Sequence, residues 1–431
     1  MGDLNELAEN QLHAHHYLKH VTELGDAHPI VATRDIRSTT GLKLVNKGAR
    51  FDSRLYEHLL RHKLMPPLDH CLAVENPVTI EHVVQDARRV LEEDTLLAEM
   101  RSELADDSAL LGLMAKTQLN PVAAFKLTVM REQRPELYRR SIFTALVSVY
   151  VGKKSGLGEE LLLKLAAAAL LHDIGILHVD PALFERSHHM SDTERRHLYV
   201  HPLIAYMILG ESREYQAEVL DAVLQHHERL DGSGYPQGLG GESINRLAQI
   251  IAVAEIVASQ DKQEAQTVGH VRLETILKLN SRRYGRDLIG HLGVFYRKNG
   301  SSPAAGHEDR ALILERLSRI SNVLSQWSVI SECCHANPLI SEFVNERMLN
   351  LRQAVLSAGF DPDAADMFVA GAENDQQALM EAHIFADEFI WRVGGLFQEI
   401  RRRWPELESD QALPIVVLRA WMDEVKSLIL N

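Results

Sequence analysis

The chain has 431 residues, 45% of them hydrophobic and 25% charged, with a formal net charge of −14. That length allows two or three domains with buried cores. The acidic balance argues against a nucleic-acid or anionic-membrane surface, so DNA is not an expected partner, and no run reaches the ~20 apolar residues of a membrane span.

The N-terminal stretch Met1–Glu6 is acidic and lacks a basic segment followed by an apolar one, so a cytoplasmic location is expected. Residues 1–20 are polar, and His16 and His20 would share one face of an exposed helix. Ile30–Ala32 and Leu42–Val45 are strand candidates, followed by a turn at Asn46–Gly48. Asp52 or Ser53 then caps a helix whose stripe is Leu55, Leu59, Leu60 and Leu64. Residues 1–75 thus form a small α+β accessory module, and 76–130 a helical connector with one helix from Thr79 to Met100. Cys71, Cys333 and Cys334 make neither a disulfide framework nor a CxxC metal spacing.

Pro135 opens a further helix that Gly156–Gly158 closes, and the apolar run Leu161–Leu171 ends in His172–Asp173. Ser191 and Glu194 have the spacing of a capping box. Pro202 suits a first helical turn, which places His201 at a helix junction where its ring is aimed independently of the preceding helix. Another helix, from Glu218, ends in His226–His227, and Asp231-Gly-Ser-Gly234-Tyr235-Pro236 is a loop that permits close backbone approach. Residues 295–306 have linker composition, and 308–431 read as four or five amphipathic helices without a catalytic motif. The fold class expected is mainly α.

His172, Asp173, His201, His226 and His227 can face one another across a helical bundle, the inventory of a divalent-metal site suited to hydrolysis. Mixed imidazole and carboxylate donors favour a first-row transition metal over magnesium. Glu228 and Asp231 are nearby candidates to hold the outer ring N–H groups of the histidines.

The stretches Leu171-His-Asp-Ile-Gly175, His201-Pro202 and His226-His-Glu-Arg-Leu-Asp-Gly-Ser-Gly-Tyr-Pro236 resemble the HD-GYP family of bacterial cyclic di-GMP phosphodiesterases, from about Glu136 to about Lys298. The resemblance implies an HD-type helical bundle over 131–300. It also implies metal ligation by His172, Asp173, His201, His226 and His227, with Glu255 in the place of a ligand aspartate and Glu136 as an additional carboxylate. Asp173, able to bridge two cations, is the central catalytic carboxylate. Gly234, Tyr235 and Pro236 would line the substrate mouth, and iron or manganese is the implied metal.

Three departures from the family pattern bear on chemistry. Arg140 stands where the family has a ligand histidine, Ile176 where it has a phosphate-contacting lysine, and Glu255 where it has the aspartate. A guanidinium has donors only and cannot bind a metal. Arg140 could set its charge against Asp173, Glu136 or Glu255, or hold a phosphate oxygen. One well-occupied metal position is therefore expected, drawing on Asp173, His201, His226 and His227, with a weaker second one open. The implied activity is hydrolysis of cyclic di-GMP or a related cyclic dinucleotide to pGpG or GMP. The alternative is a degenerate domain that binds the dinucleotide or a signalling protein such as a diguanylate cyclase. A homodimer built through the C-terminal helices is compatible with both.

Overall fold

The computed structural model describes residues 2–12, 15–104, 109–184, 190–259, 266–293, 310–333, 338–357, 359–361, 364–371, 375–404, 407 and 411–430. Cys334 and the linker expected over 295–306 lie outside these. The chain divides into two compact units, Met1–Ser259 and Gln260–Asn431.

In the first unit, α1 (Gly2–Leu12) and α2 (His15–Ala27) precede five short strands: β1 (Ile30–Ala32), β2 (Ile36–Ser38), β3 (Lys43–Val45), β4 (Leu64–Met65) and β5 (Leu72–Val74). Strands β1 and β5 pair antiparallel with Ile30 opposite Val74, and a second sheet has the order β3-β2-β4. Helix α2 is not merely exposed: Tyr17, Leu18, Val21 and Leu24 are buried. Asp52 does cap a 3-10 turn, but the helix that follows, α3 (Tyr56–Leu59), is one turn long, and Leu64 belongs to β4.

The expected helix from Thr79 to Met100 is two helices, α4 (Ile80–Glu93) and α5 (Thr95–Glu103). Asp94 adopts an extended conformation between them, and its carboxylate accepts the Leu97 N–H, which starts a new helix where a helical residue would have continued the old one. After α6 (Ala109–Ala115) and α7 (Pro121–Gln133) come α8 (Pro135–Lys154), α9 (Glu159–Leu171), α10 (Asp192–Tyr199), α11 (His201–Glu211), α12 (Ala217–Gln225) and α13 (Arg246–Ala258). Helix α8 is the axis of this bundle, buried at nearly every position from Ser141 to Gly152 and packed against α9 and α13. The apolar stretch Glu159–His178 is long enough to cross a membrane by composition, yet 83% of its most apolar window is buried in the unit, as in a core helix.

The second unit contains α14 (Gln266–Leu279), α15 (Ser281–Tyr284), α16 (Arg286–Gly290), α17 (Arg310–Cys333), α18 (Pro338–Ser357), α19 (Ala365–Gly371), α20 (Gln376–Arg403) and α21 (Leu413–Leu430). Its core joins Leu317, Val344, Phe389, Val393 and Trp421. The packing boundary thus falls at 259/260 rather than near 300–308, because α14 packs on α20 and Leu279 enters the core of the second unit. The architecture is mainly α, a helical bundle with a small N-terminal α+β part and C-terminal helices.

Candidate metal centre

Four segments of the first unit deliver the site. Helix α9 ends at Leu171, so His172 and Asp173 leave its C-terminus at the start of a 3-10 turn, Ile174–His178. Gly175 in that turn lies against the backbone of His201, where a Cβ would come within 2.1 Å of the His201 carbonyl oxygen. The capping box at Ser191 and Glu194 starts α10, and His201 follows α10 as the first residue of α11. His226 and His227 follow α12, and Glu255 projects from α13.

The first three histidines share one device. His172 Nδ1–H donates to Ala169 O at 2.7 Å, His201 Nδ1–H to Leu198 O at 2.7 Å, and His226 Nδ1–H to Val223 O at 2.6 Å. Each acceptor is a carbonyl three residues earlier, so Nδ1 carries a proton and Nε2 is the nitrogen turned into the site. Backbone, not Glu228 or Asp231, holds these ring N–H groups. His201 Nε2 and His226 Nε2 then face each other at 3.3 Å. In the neutral Nδ1–H form neither nitrogen can donate to the other, and a cation between them would serve both.

The carboxylates complete two donor groups, each with its ligand atoms within 4.8 Å of one another: Asp173, His201, His226 and His227, and His172, Asp173, His226 and Glu255. Asp173 Oδ1 is 3.3 Å from His201 Nε2 and 3.8 Å from His226 Nε2, while its Oδ2 is 3.2 Å from His172 Nε2. Glu255 Oε1 lies 3.5 Å from His172 Nε2, and its Oε2 3.5 Å from His227 Nδ1. Asp173 and Glu255 are 1% and 5% exposed. Both Asp173 oxygens, Glu255 Oε2 and His172 Nε2 are buried without a hydrogen-bond partner. Unpaired buried carboxylate oxygens of this kind call for a cation.

The titration behaviour agrees. Burial pushes His226 down to about 3 and His227 well below the imidazole range, so both stay neutral and able to ligate. Burial also works against a charged His172, but the Asp173 and Glu255 carboxylates outweigh it and raise the group to about 10. For the carboxylates burial acts upward and is outweighed by the imidazoles, which hold Asp173 and Glu255 well below their usual range. Positive charge is therefore favoured beside both carboxylates.

Arg140 enters from α8 and places Nη2 3.3 Å from Glu255 Oε1. Of the arrangements open to it from the sequence, its charge takes the one against Glu255. Glu136, one turn earlier, is exposed in the first turn of α8 and belongs to neither donor group. The expectation that it adds a ligand is corrected by that placement: α8 presents Arg140, not Glu136, to the site. Ile176 is buried in the turn after Asp173.

Gly234 and Pro236, expected to line a mouth, are buried instead. A Cβ on Gly234 would sit 2.4 Å from both Glu228 Cα and His227 O, so the loop folds flat onto the segment that carries the ligands. Glu228 clamps it: one carboxylate oxygen accepts from Gln237 N at 2.6 Å and Gly238 N at 3.1 Å, the other from Leu239 N at 2.9 Å. Asp231 closes a local turn by accepting from the Ser233 N–H and hydroxyl. Tyr235 remains half-buried, stacked between His227 at 4.6 Å and Tyr199 of α10 at 4.1 Å between ring centroids. Neither the clamp nor the Tyr199 stack was read from the sequence. Glu228 stands beside the histidine pair, which was the available signal, whereas Tyr199 carries none.

Residues 118–267 match the HD domain family. A cyclic di-GMP phosphodiesterase of Pseudomonas aeruginosa is 30% identical over 172 residues, covering 40% of each chain. The cyclic di-GMP phosphodiesterase response regulator RpfG of Xanthomonas campestris is 38% identical over 26% of this chain and 29% of its own. A 3'3'-cGAMP-specific phosphodiesterase of Vibrio cholerae is 29% identical over 32% of each chain. The match thus spans at most 40% of the length of these relatives.

Proposed function

Because residues 118–267 match the HD domain family, we propose that the protein is a metal-dependent phosphodiesterase that opens a cyclic dinucleotide, cyclic di-GMP first, to pGpG or GMP. The observation that carries this reading is the pair of facing Nε2 atoms of His201 and His226 above the Asp173 carboxylate. His201, His226, His227 and Asp173 would hold one iron or manganese ion. When bound, such an ion supplies the Lewis acidity that activates water and neutralises charge on a phosphoryl group.

The chain's own residues set the rest. Imidazole ligates only in its neutral form, so with a metal bound Asp173 and Glu255 carry two negative charges against the single positive charge of Arg140. One divalent cation brings the site to one positive charge, which suits an anionic substrate; a second would bring it to three. Arg140 is half-exposed, so its remaining N–H groups can reach a phosphoryl oxygen while Glu255 holds the fork. Burial holds the Tyr235 phenol well above its usual range, leaving it protonated and able to donate. Stacked on His227, Tyr235 also restricts water on that side of the site.

A specific observation favours a second reading. The Arg140–Glu255 pair sits in the donor group containing His172, and a site that needs both positions filled would be inactive, leaving a domain that binds the dinucleotide without turnover. The second unit would serve protein contact in either case, with a diguanylate cyclase, another signalling protein or a second copy as partner, in the cytoplasm. Metal content of anaerobically purified protein, measured beside hydrolysis of cyclic di-GMP and 3'3'-cGAMP, tests the choice. About one metal per chain with turnover of cyclic di-GMP is expected. Metal-loaded protein that binds the dinucleotide but never opens it would establish the second reading.

A further inference from the structure

Away from the metal ligands, the first unit buries a second polar cluster assembled from four segments. Lys126 of α7 is fully buried, with Nζ 3.0 Å from Asp69 Oδ2 and 2.7 Å from His178 Nε2. The Tyr17 hydroxyl donates to the other Asp69 oxygen. The Tyr17 ring lies 3.2 Å from the ammonium and stacks on the His178 ring at 4.4 Å. Tyr17 comes from α2 and Asp69 from the turn before β5, both in the N-terminal α+β part. His178 is the last residue of the turn that opens directly after Asp173.

Burying an ammonium is costly before pairing recovers it, and a well-packed apolar group would do as well for stability. What this arrangement adds is direction. An ammonium only donates, so His178 Nε2 must accept, which fixes the protonation and the aim of that ring. The Ile174–His178 turn is then held at two points: Gly175 against the His201 backbone and His178 against Lys126. The turn that bears Asp69 also reaches α11 from its other end. His70 Nε2 meets Glu211 at 2.5 Å, at the C-terminus of the helix that His201 begins.

We propose that Lys126 is a positioning residue for the metal site: by pinning His178 to Asp69 and Tyr17, it makes the seating of His172 and Asp173 against His201 depend on the N-terminal α+β part. That part is thereby the input of the domain, and the Ile174–His178 turn is the element through which its state reaches the ligands. The inference rests on the metal centre proposed above, and the two fail differently in the test.

The test uses the full chain and Mn²⁺ or Co²⁺ as probe. Lys126→Met and Asp69→Asn should each weaken metal affinity about tenfold or more, the range seen when groups supporting ligands are removed. The visible absorption of the Co²⁺ form should change with them. Leu97→Ala, which opens a cavity in α5, outside the N-terminal α+β part and the cluster, serves as the stability control and should leave affinity and spectrum unaltered. Linkage gives a reading on the native chain as well: stripping the metal should speed amide exchange at Leu68–Cys71. Native protein that binds no metal overturns the metal centre itself. Native protein that binds metal, with variants of equal affinity and spectrum and exchange at Leu68–Cys71 indifferent to metal, overturns the role of Lys126 alone.

Discussion

Arg140 Nη2 and His172 Nε2 compete for one oxygen: Glu255 Oε1 lies 3.3 Å from the first and 3.5 Å from the second. The guanidinium therefore stands where a cation in the donor group of His172, Asp173, His226 and Glu255 would draw its negative charge. Arg140→His should free that oxygen, supply a nitrogen donor and raise metal content from about one towards two per chain by elemental analysis. Turnover should rise if the second position limits it. If turnover or substrate affinity instead falls about tenfold, the guanidinium holds substrate phosphate, a contact worth roughly 1.5–3 kcal/mol. Unchanged metal and turnover would make Arg140 a bystander.

The ligands should not be equal. His226 is common to both donor groups, whereas Glu255 belongs to one and is shared with Arg140. His226→Ala should strip the protein of metal, while Glu255→Gln keeps most of it. The reverse order in a metal assay of the purified variants would show that the stronger position has been misassigned.

Glu228 accepts three backbone N–H groups while only 2% exposed. Glu228→Ala would leave those amides without their acceptor, a loss of about 2–4 kcal/mol. Faster amide exchange at Gln237–Leu239 and reduced turnover are expected, with metal content retained because the ligand rings are aimed by other contacts. Exchange at those amides identical to the native rate would remove the clamp from the account.

Acid stability is set in part by His20. Its ring nitrogens are buried without partners, and burial first, then the Arg134, His16 and Lys19 charges, bring it down to about 4. An unfolded histidine titrates near 6.5, so between those values the unfolded chain binds the extra proton and stability falls as pH falls. The loss should reach about 2–3 kcal/mol by pH 4.5, with no contribution from His20 above about 6.5. His20→Leu should flatten the fall in melting temperature over this window. A native and variant pH profile that coincide would assign the acid sensitivity elsewhere.

What could be read ahead of the structure was what lies close in the chain. The capping box at Ser191, the helix junction at His201 and the His-Asp and His-His pairs are each specified within a few residues, and the structure assembles them. The failures are of two kinds. Asp94 sits in a sequence with uninterrupted helical period, and only its carboxylate on the Leu97 N–H decides that one helix ends there. The other kind is long-range. Lys126 and His178 are separated by 52 residues, and a lysine on an apolar helix ordinarily reads as solvent-facing. Glu136 lies one turn from Arg140, yet only the residue facing α13 enters the site, which spacing alone does not resolve.

The carbonyls at Ala169, Leu198 and Val223 each lie within the chain segment that carries the histidine they hold. Ring aim is thus settled when α9, α10 and α12 form, before any ion arrives. In small zinc domains the ion is a condition of folding. Here it is closer to a replaceable part. Chelation should empty the centre while the helical bundle stays intact, and the same chain should then take up a different ion. Which metal a given molecule carries should then follow supply at the time of loading, read as the metal content of protein refilled from different ions.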